Sequence, residues 1–255
     1  MRAPAKYLLM RPLSRLVDAL RDPPKAGLRV LLYHSVGTAL PDDPHGIGID
    51  ECSFKRHVDH LSSREAGYAF CPFAAPPADS LGLAWTFDDG FKDVLSKAAP
   101  LLAAKNIPFT VFATADFIRQ GSPLYLDEAE LKELARLPGV SIGSHAKTHR
   151  LLTSLGPREL DEELRSSKRY LEDLLGRPVE SLSYPNGAVD RRVRDAARAA
   201  GYRLGGSSRY GLNVEGRDPL LLCRTEIVAW DSVGDLELKA GGAWDWFGWR
   251  HPDPA

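Results

Sequence analysis

The chain has 255 residues, a formal net charge of -1 and 44% hydrophobic residues, which is typical of a globular protein with a sizeable core. The near-neutral charge gives no reason to expect nucleic acid as a partner. The 3 cysteines, Cys52, Cys71 and Cys223, include no close pair, which argues against a disulfide framework and against a cysteine-based zinc site. A reducing compartment is the simpler expectation.

The N-terminal segment predicts a helix, because its apolar residues recur at helical spacing with arginines between them. The apolar residues are Leu9, Leu13, Leu16, Val17 and Leu20. Two interpretations stay open: a helix packed on the domain, or a basic amphipathic helix resting on a membrane surface. The segment has no apolar stretch long enough for a secretory signal or a membrane span. We therefore expect a cytoplasmic protein, peripheral at the inner membrane under the second interpretation.

Alternating strands and helices follow, and this alternation predicts a parallel sheet. Apolar runs indicate strands at 29–36, 83–87, 107–113, 140–143, 179–184, 202–204 and 220–228. Helical patterns lie between them, at 53–63 with Ser53 as the cap, at 90–105, from 127, at 157–175 and at 190–200. About seven strand–helix steps without a linker favour one barrel-like domain. We place it at residues 28–255, after an N-terminal helical extension at residues 1–27.

Two adjacent acids, Asp88 and Asp89, end the apolar strand 83–87 and precede Gly90. Successive side chains of a strand point to opposite faces, so we expect the two carboxylates to meet different environments and to take different roles. Functional sites of α/β proteins lie at such strand ends. The alternative is an ordinary polar turn that closes the strand.

Two histidines, His145 and His149, follow another short strand at a spacing of four residues. If this segment is a helical turn, both imidazoles lie on one face, within reach of one metal ion. Two histidines and an aspartate match the three protein ligands of a catalytic zinc site. The alternative for either histidine is a core or surface position, but the strand-end acids favour the metal site.

Three motifs in combination resemble the polysaccharide deacetylases of carbohydrate esterase family four, also called the NodB homology domain. The motifs are Thr86-Phe87-Asp88-Asp89-Gly90, Gly143-Ser144-His145-Ala146-Lys147-Thr148-His149-Arg150-Leu151-Leu152 and Ser183-Tyr184-Pro185-Asn186-Gly187. The resemblance covers roughly residues 28 to 235. It implies a distorted (β/α)7 barrel, with one repeat fewer than the common eightfold barrel.

The resemblance also implies roles for individual residues. Asp89, His145 and His149 match the family's metal ligands, and Asp88 matches its general base. A backbone N–H that stabilises the oxyanion maps to Asn186, where the family usually has tyrosine. The implied ion is zinc, with cobalt or nickel as alternatives, and it acts as a Lewis acid.

Two family features are missing from their usual places. The third motif opens without an arginine, and the only histidine after residue 149 is His251, near the end of the chain. The chain is more similar to the branch that acts on poly-N-acetylglucosamine, in which an early Tyr-His pair supplies the acid and a late arginine supports the base. Tyr33-His34 and Arg224 match these two features. From the residues alone, His34 could also be a hydrogen-bonded strand-end residue, and Arg224 a salt-bridge partner of Glu226 or of another surface acid.

The function implied by the resemblance is hydrolysis of carbon–nitrogen bonds other than peptide bonds. The expected substrate is an N-acetylated amino sugar, a glycan or a lipid-linked saccharide of surface polysaccharide synthesis. Two alternatives stay open: hydrolysis of another acyl or amide group, such as an O-acetyl ester or a cyclic amide, and a catalytically silent carbohydrate-binding domain. The aromatic segment 244–249 is expected to pack on the core, with sugar stacking as the alternative. Trp230-Asp231 is expected near the rim of the site.

Overall fold

The structure is a computed structural model, and it describes residues 4–22, 24–63, 67–74, 79–250 and 253–254. Residues 1–3 and Pro23 of the predicted extension, and the late histidine His251, lie outside the described residues. The side chain of Leu9 lies outside them as well.

The described chain alternates between strands and helices, as the sequence predicts. The strands are β1 (Gly27–Tyr33), β2 (Ser35–Val36), β3 (Gly48–Ile49), β4 (Ala69–Phe70), β5 (Leu81–Phe87), β6 (Phe109–Ala113), β7 (Val140–Ser144), β8 (Ser181–Ser183), β9 (Leu204–Gly206) and β10 (Thr225–Glu226). The α-helices are α1 (Ala5–Leu20), α2 (Glu51–Leu61), α3 (Ala99–Ala103), α4 (Ala115–Gln120), α5 (Glu128–Arg136), α6 (Pro157–Leu175), α7 (Arg191–Ala199) and α8 (Val233–Gly241).

Seven parallel strands form the main sheet in the order β10-β1-β5-β6-β7-β8-β9, and the short β4 pairs with the start of β5. The two ends of this order approach each other, because the Leu222 N–H donates to the Gly205 carbonyl and the Ser207 N–H donates to the Leu222 carbonyl. The curled sheet is covered by helices, and buried apolar side chains fill the space between them. The predicted distorted (β/α)7 barrel is therefore confirmed.

Several predicted boundaries are wrong, each for a local reason. The last predicted strand, 220–228, is shortened to β10. Its start is lost because residues 219–221 form a turn in which the Asp218 carboxylate accepts the Leu220 N–H. The first strand is interrupted at His34, between β1 and β2. The cap of α2 is Asp50 rather than Ser53, since the Asp50 carboxylate accepts the Ser53 N–H at 2.9 Å.

The N-terminal helix α1 packs on α8, but Leu13, Leu16 and Leu20 do not form the contact face. Leu13, Leu16 and Leu20 are 44%, 57% and 79% exposed, whereas Tyr7 and Ser14 are buried. The inner face is therefore built by polar groups that find partners in the C-terminal part of the chain. Within the described residues, every helix is too short or too polar to cross a bilayer.

Candidate metal centre and catalytic site

The predicted site residues meet at the carboxyl ends of the parallel strands. Tyr33 of β1 pairs with Phe87 of β5, and the Asp88 N–H donates to the Tyr33 carbonyl at 2.9 Å. His34 and Asp88 therefore leave adjacent strands side by side. Such strand ends are where α/β proteins build their sites.

Asp88 is held by two buried side chains. The Arg224 guanidinium binds it bidentately, with N–O distances of 2.7 and 2.9 Å, and the Ser183 hydroxyl donates to Asp88 Oδ2 at 2.8 Å. Arg224 is fully buried, and it lies across Gly206, where a Cβ atom would come within 2.7 Å of its Nε. The contact of Arg224 with Asp88 is thus present, and the alternative, a surface salt bridge with Glu226, is not. Sequence reasoning missed Ser183 as a partner of Asp88, although a serine at a buried strand end is a usable signal.

These contacts set the ionisation of Asp88. Burial by itself raises the pKa of a carboxyl group, because it removes water from the charged form. At Asp88, the charges of Arg224 and His145 outweigh burial and hold the pKa below its usual range. Asp88 is therefore a carboxylate that can accept a proton.

Asp89 has a different set of neighbours. Its Oδ1 lies 3.3 Å from His145 Nε2 and 3.3 Å from His149 Nε2, and the three potential ligand atoms lie within 4.8 Å of one another. Burial opposes ionisation here too, but the two imidazoles outweigh it and the pKa of Asp89 is lowered. Both acids line one cavity instead of opposite faces, because Asp89 has left the strand with a φ of 70°. The two carboxylates thus have different partners, as predicted, although they line the same cavity.

The segment that carries the two histidines is not the predicted helical turn. Ala146 and His149 have φ values of 60° and 63°, which no α-helix contains. Glu163 of α6 holds the segment, since its carboxylate accepts the N–H groups of Lys147 at 3.0 Å and Thr148 at 2.9 Å. Sequence reasoning missed Glu163, whose only signal is a charged residue on the buried face of α6, beside Leu160 and Leu164.

The cluster fits a divalent metal ion such as zinc. The His145 Nδ1–H donates to the Ser183 carbonyl at 2.8 Å, which fixes the ring and turns Nε2 toward Asp89. Asp89 Oδ1 is buried, and the described residues give it no hydrogen bond. An orphaned carboxylate oxygen beside two imidazole nitrogens is the donor set of a catalytic zinc site.

His34 and Asn186 line the same cavity. The Nδ1 atom of His34 is buried and has no hydrogen-bond partner among the described residues. The alternative, in which His34 is a hydrogen-bonded strand-end residue, therefore has no support at this atom. Asn186 is exposed in the turn Pro185–Gly187, and its φ of 57° is in the left-handed region that asparagine tolerates.

The cavity has a volume of about 510 Å³ and continues from these residues to a group of aromatic side chains. Of the C-terminal aromatic segment, Trp244 is buried, while Trp249 is 70% exposed. Arg29 anchors the segment by two bonds to Asp245, at 2.7 and 3.0 Å. The prediction of core packing is therefore correct for Trp244. Trp244 and Phe247 of this segment also line the cavity, as does Trp230 before α8.

Comparison with known proteins decides the family. A family model described as polysaccharide deacetylase matches residues 77–205, which is half of the chain. The chain belongs to the polysaccharide deacetylase family. The resemblance seen in the motifs is thereby confirmed. The matched region includes Asp88, Asp89 and Asn186, whereas His34 and Arg224 lie outside it.

A curated relative illustrates the similarity in sequence. YxkH of Bacillus subtilis, named as a polysaccharide deacetylase, is 27% identical over 194 residues, which are 73% of this chain and 66% of that protein. The chain thus spans just under two thirds of this relative's length.

The structural neighbours share the fold. The Streptococcus pyogenes deacetylase PplD, solved in complex with acetate, has a TM-score of 0.72 and 23% identity, and the match covers 84% of this chain and 97% of PplD. IcaB from Ammonifex degensii has a TM-score of 0.71 and 24% identity, with coverage of 85% and 97%.

Proposed function

We propose that this deacetylase family member is a metal-dependent hydrolase that removes an acetyl group from the nitrogen of an amino sugar in a glycan. The observation that carries the proposal is an ionised carboxylate, Asp88, held by Arg224 beside the cluster of Asp89, His145 and His149 in one open cavity. The YxkH and PplD names support the same reaction class.

Asp89, His145 and His149 would hold the metal ion. When bound, a divalent ion supplies Lewis-acid chemistry, in that it polarises a carbonyl group and makes water more acidic. The fixed tautomer of His145 and the buried Asp89 oxygen prepare the chain for such an ion.

Asp88 acts as the general base. Arg224 and Ser183 occupy its oxygens from one side and fix its orientation, and its lowered pKa keeps it ready to accept a proton from the attacking water. The new C–O bond forms at the acetyl carbon, and the developing negative charge is placed near the Asn186 N–H, which donates a hydrogen bond to it.

His34 acts as the general acid. The C–N bond breaks, acetate is released, and the sugar nitrogen takes a proton from the imidazole. This role is supported by the position of His34 beside Asp88 at the cavity and by its buried Nδ1, which has no hydrogen-bond partner among the described residues.

A silent carbohydrate-binding domain is the less favoured alternative. Burying two carboxylates, two histidines and an arginine costs free energy, and a domain that only binds sugar gains nothing from this arrangement. Hydrolysis of an O-acetyl ester would use the same residues, so a panel of N- and O-acetylated sugars separates it from the proposed reaction.

Zinc content per chain, on protein purified without chelator, tests the proposal first. We expect about one zinc per chain, lost in Asp89→Asn and in His145→Ala. Acetate release from N-acetylglucosamine oligomers by the zinc-loaded protein is the second measurement. Absence of bound metal after reconstitution with zinc, cobalt and nickel would show that the proposal is wrong.

We also propose that α1 rests on an anionic membrane surface, where a lipid-linked saccharide on the cytoplasmic face would be within reach. The support is the outward stripe of Leu13, Leu16 and Leu20, flanked by basic residues such as Arg15. Co-sedimentation with vesicles that contain anionic lipid tests it, with Leu16→Glu as the variant that releases the protein. If the wild type and Leu16→Glu are recovered equally in the supernatant, the membrane proposal is wrong, and the catalytic proposal is unaffected.

A further inference from the structure

His149 differs from the other two candidate metal ligands in how its side chain is held. The side chain of His149 is 29% exposed, against 3% for His145 and 11% for Asp89. His145 donates its Nδ1–H to the Ser183 carbonyl, whereas the described residues give the Nδ1 atom of His149 no hydrogen-bond partner. Because a histidine that binds a metal is usually oriented by such a bond, the orientation of the His149 ring must come from another contact.

Three aromatic side chains form a stack that ends on the His149 ring. In this aromatic stack, Phe91 lies 5.0 Å from Tyr125 and Tyr125 lies 4.3 Å from Phe117, measured between ring centroids. Phe117 lies 6.1 Å from the His149 ring, with 24° between the two planes. This distance and this angle are typical of an offset-stacked pair. The plane of the imidazole is therefore restrained from the side of Phe117.

Backbone hydrogen bonds join one end of the aromatic stack to the histidine segment. The N–H groups of Ala115 and Asp116, at the start of α4, donate to two carbonyls between the histidine ligands, at 3.2 and 2.9 Å. Phe117 follows directly in the same helix. A movement of Phe117 away from the His149 ring would therefore strain these backbone bonds.

The other end of the aromatic stack is joined to the segment that follows Asp89. The Leu126 N–H donates to the Gly90 carbonyl at 2.9 Å, and Phe91 and Tyr125 pair through a single antiparallel bridge. The aromatic stack thus extends from the chain next to one ligand to the ring of another. It links two ligands that follow different strands of the sheet.

Packing in the hydrophobic core does not account for Phe117. Its side chain is half-buried, and it is not part of the apolar clusters that the described residues form. Its ring contacts are with Tyr125 on one side of the sequence and with His149 on the other. A leucine would be equally apolar, but it has no flat face that could set the plane of an imidazole.

We propose that the aromatic stack positions the metal ligand His149, with Phe117 as the residue in contact. This inference rests on the proposed function, since it takes the cluster of Asp89, His145 and His149 as the metal site. The aromatic stack holds the imidazole so that its Nε2 stays 3.3 Å from Asp89 Oδ1. Phe117 and Tyr125 act through His149, so they are positioning residues and not catalytic ones.

Zinc affinity, measured on the full chain by competition with a chelator, tests this role. We expect Phe117→Leu to bind zinc about fivefold more weakly, because the energy of one aromatic pair corresponds to a factor of about two to ten. Tyr125→Leu removes a ring one step farther from His149 and should show a smaller loss. Tyr125→Phe keeps the ring and should bind zinc like the wild type.

The visible absorption of the cobalt-loaded protein is the second measurement, because it reports the coordination geometry of the ion. At saturating cobalt, the spectrum of Phe117→Leu should shift toward that of His149→Ala, which lacks this ligand. Tyr125→Phe should keep the wild-type spectrum. A loss of stability alone would leave the spectrum of the folded, saturated protein unchanged.

Tyr170→Leu is the matched control, because the Tyr170 ring packs on the same helix as Phe117. The Arg119 guanidinium of α4 lies 4.3 Å from the centroid of this ring. The control should keep the zinc affinity and the cobalt spectrum of the wild type. Wild-type affinity and spectrum in Phe117→Leu, or an equal loss of affinity in Tyr170→Leu, would overturn the positioning role.

Failure of the proposed function is a separate result. It would appear as zinc binding that depends on Phe117 without acetate release by the zinc-loaded wild type.

Discussion

The cavity has a buried ion pair near each end, and the two pairs do different things. Asp88 and Arg224 meet at 2.7 Å near the metal ligands, and Asp231 and Lys239 meet at 2.7 Å near the aromatic side chains that line the other end of the cavity. All four side chains are buried. The difference lies in what else the carboxylate binds.

Both carboxylate oxygens of Asp231 are used in contacts that hold the fold together. Its oxygens accept the Tyr7 hydroxyl of α1, the Val228 N–H after β10 and the Lys239 ammonium of α8. Asp88, in contrast, is bound from one side only and lines the cavity. A buried ion pair thus stabilises the fold where every acceptor of its carboxylate is used, and it can take part in chemistry where one side of the carboxylate stays accessible.

Asp88→Asn tests the catalytic side of this comparison most severely. The amide cannot accept a proton, so we expect the rate of acetate release to fall by about 10² to 10⁴. Zinc content should stay at the wild-type level, because the ligands are Asp89, His145 and His149. Metal analysis beside a rate assay checks this. If the variant loses zinc, the division of roles between the two acids is wrong.

Arg224→Gln breaks the first ion pair. Removing one partner of a buried pair costs about 3–5 kcal/mol of unfolding free energy, because the other charge is left uncompensated. In the wild type the pKa of Asp88 is below its usual 3.8, so the pair stabilises the fold above that pH and the gain is lost as pH falls through the folded pKa. Without Arg224, burial prevails and the pKa rises. The acid limb of the rate profile should therefore move to higher pH.

Lys239→Gln is the matched control for Arg224→Gln. It breaks the second ion pair, so thermal unfolding should show a loss of similar size. Its acid limb should stay at the wild-type pH, since Lys239 does not contact Asp88. Equal shifts in both variants would mean that the acid limb reports unfolding and not the ionisation of Asp88.

Glu163→Gln tests whether Glu163 positions the metal ligands His145 and His149. The loss of the carboxylate weakens the bonds to the Lys147 and Thr148 N–H groups, which hold the segment between His145 and His149. Residues that orient metal ligands typically contribute 10- to 100-fold to metal affinity, so we expect about a tenfold weaker zinc binding in a chelator competition. Glu162→Gln is the control, because Glu162 is exposed and binds the side chain of Lys147 instead of its backbone N–H. Equal affinity in both variants would contradict a positioning role for Glu163.

The end of the cavity that holds the metal ligands could be predicted because short stretches of sequence specify it. An apolar strand that stops at Asp88 and another that stops at His34 place both residues at one edge of a parallel sheet. The conformation of the histidine segment could not be predicted, since a spacing of four fits a helix as well as it fits a loop with positive φ at His149. The contacts of Glu163 decide between them, and they come from a separate helix.

The aromatic end of the cavity could not be predicted, because its residues, such as Tyr7 and Trp244, come from opposite ends of the chain. Periodicity indicates an apolar stripe on α1, but it does not say whether the stripe faces inward. In the structure Leu13 and Leu16 face outward, and the inner face is selected by the bonds of Tyr7 to Asp231 and of Ser14 to Trp246. Such bonds follow only from the packed fold.

The smallest expected effect concerns α1, which lines the aromatic end of the cavity through Tyr7, and Tyr7→Phe isolates it. The ring and its stacking on Trp244 remain, while the hydroxyl that binds Asp231 is removed. Asp231 keeps Lys239 and the Val228 N–H, so the free energy of unfolding should fall by only about 1 kcal/mol. Trypsin should cleave faster at Arg15 and Arg21, which α1 carries or borders, because the helix detaches more often. Tyr170→Phe is the control, since it removes a hydroxyl bonded to Glu128 outside the cavity. Unchanged cleavage in Tyr7→Phe would mean that the other contacts of α1, such as those of Arg11 and Ser14, hold the helix in place without the Tyr7 hydroxyl.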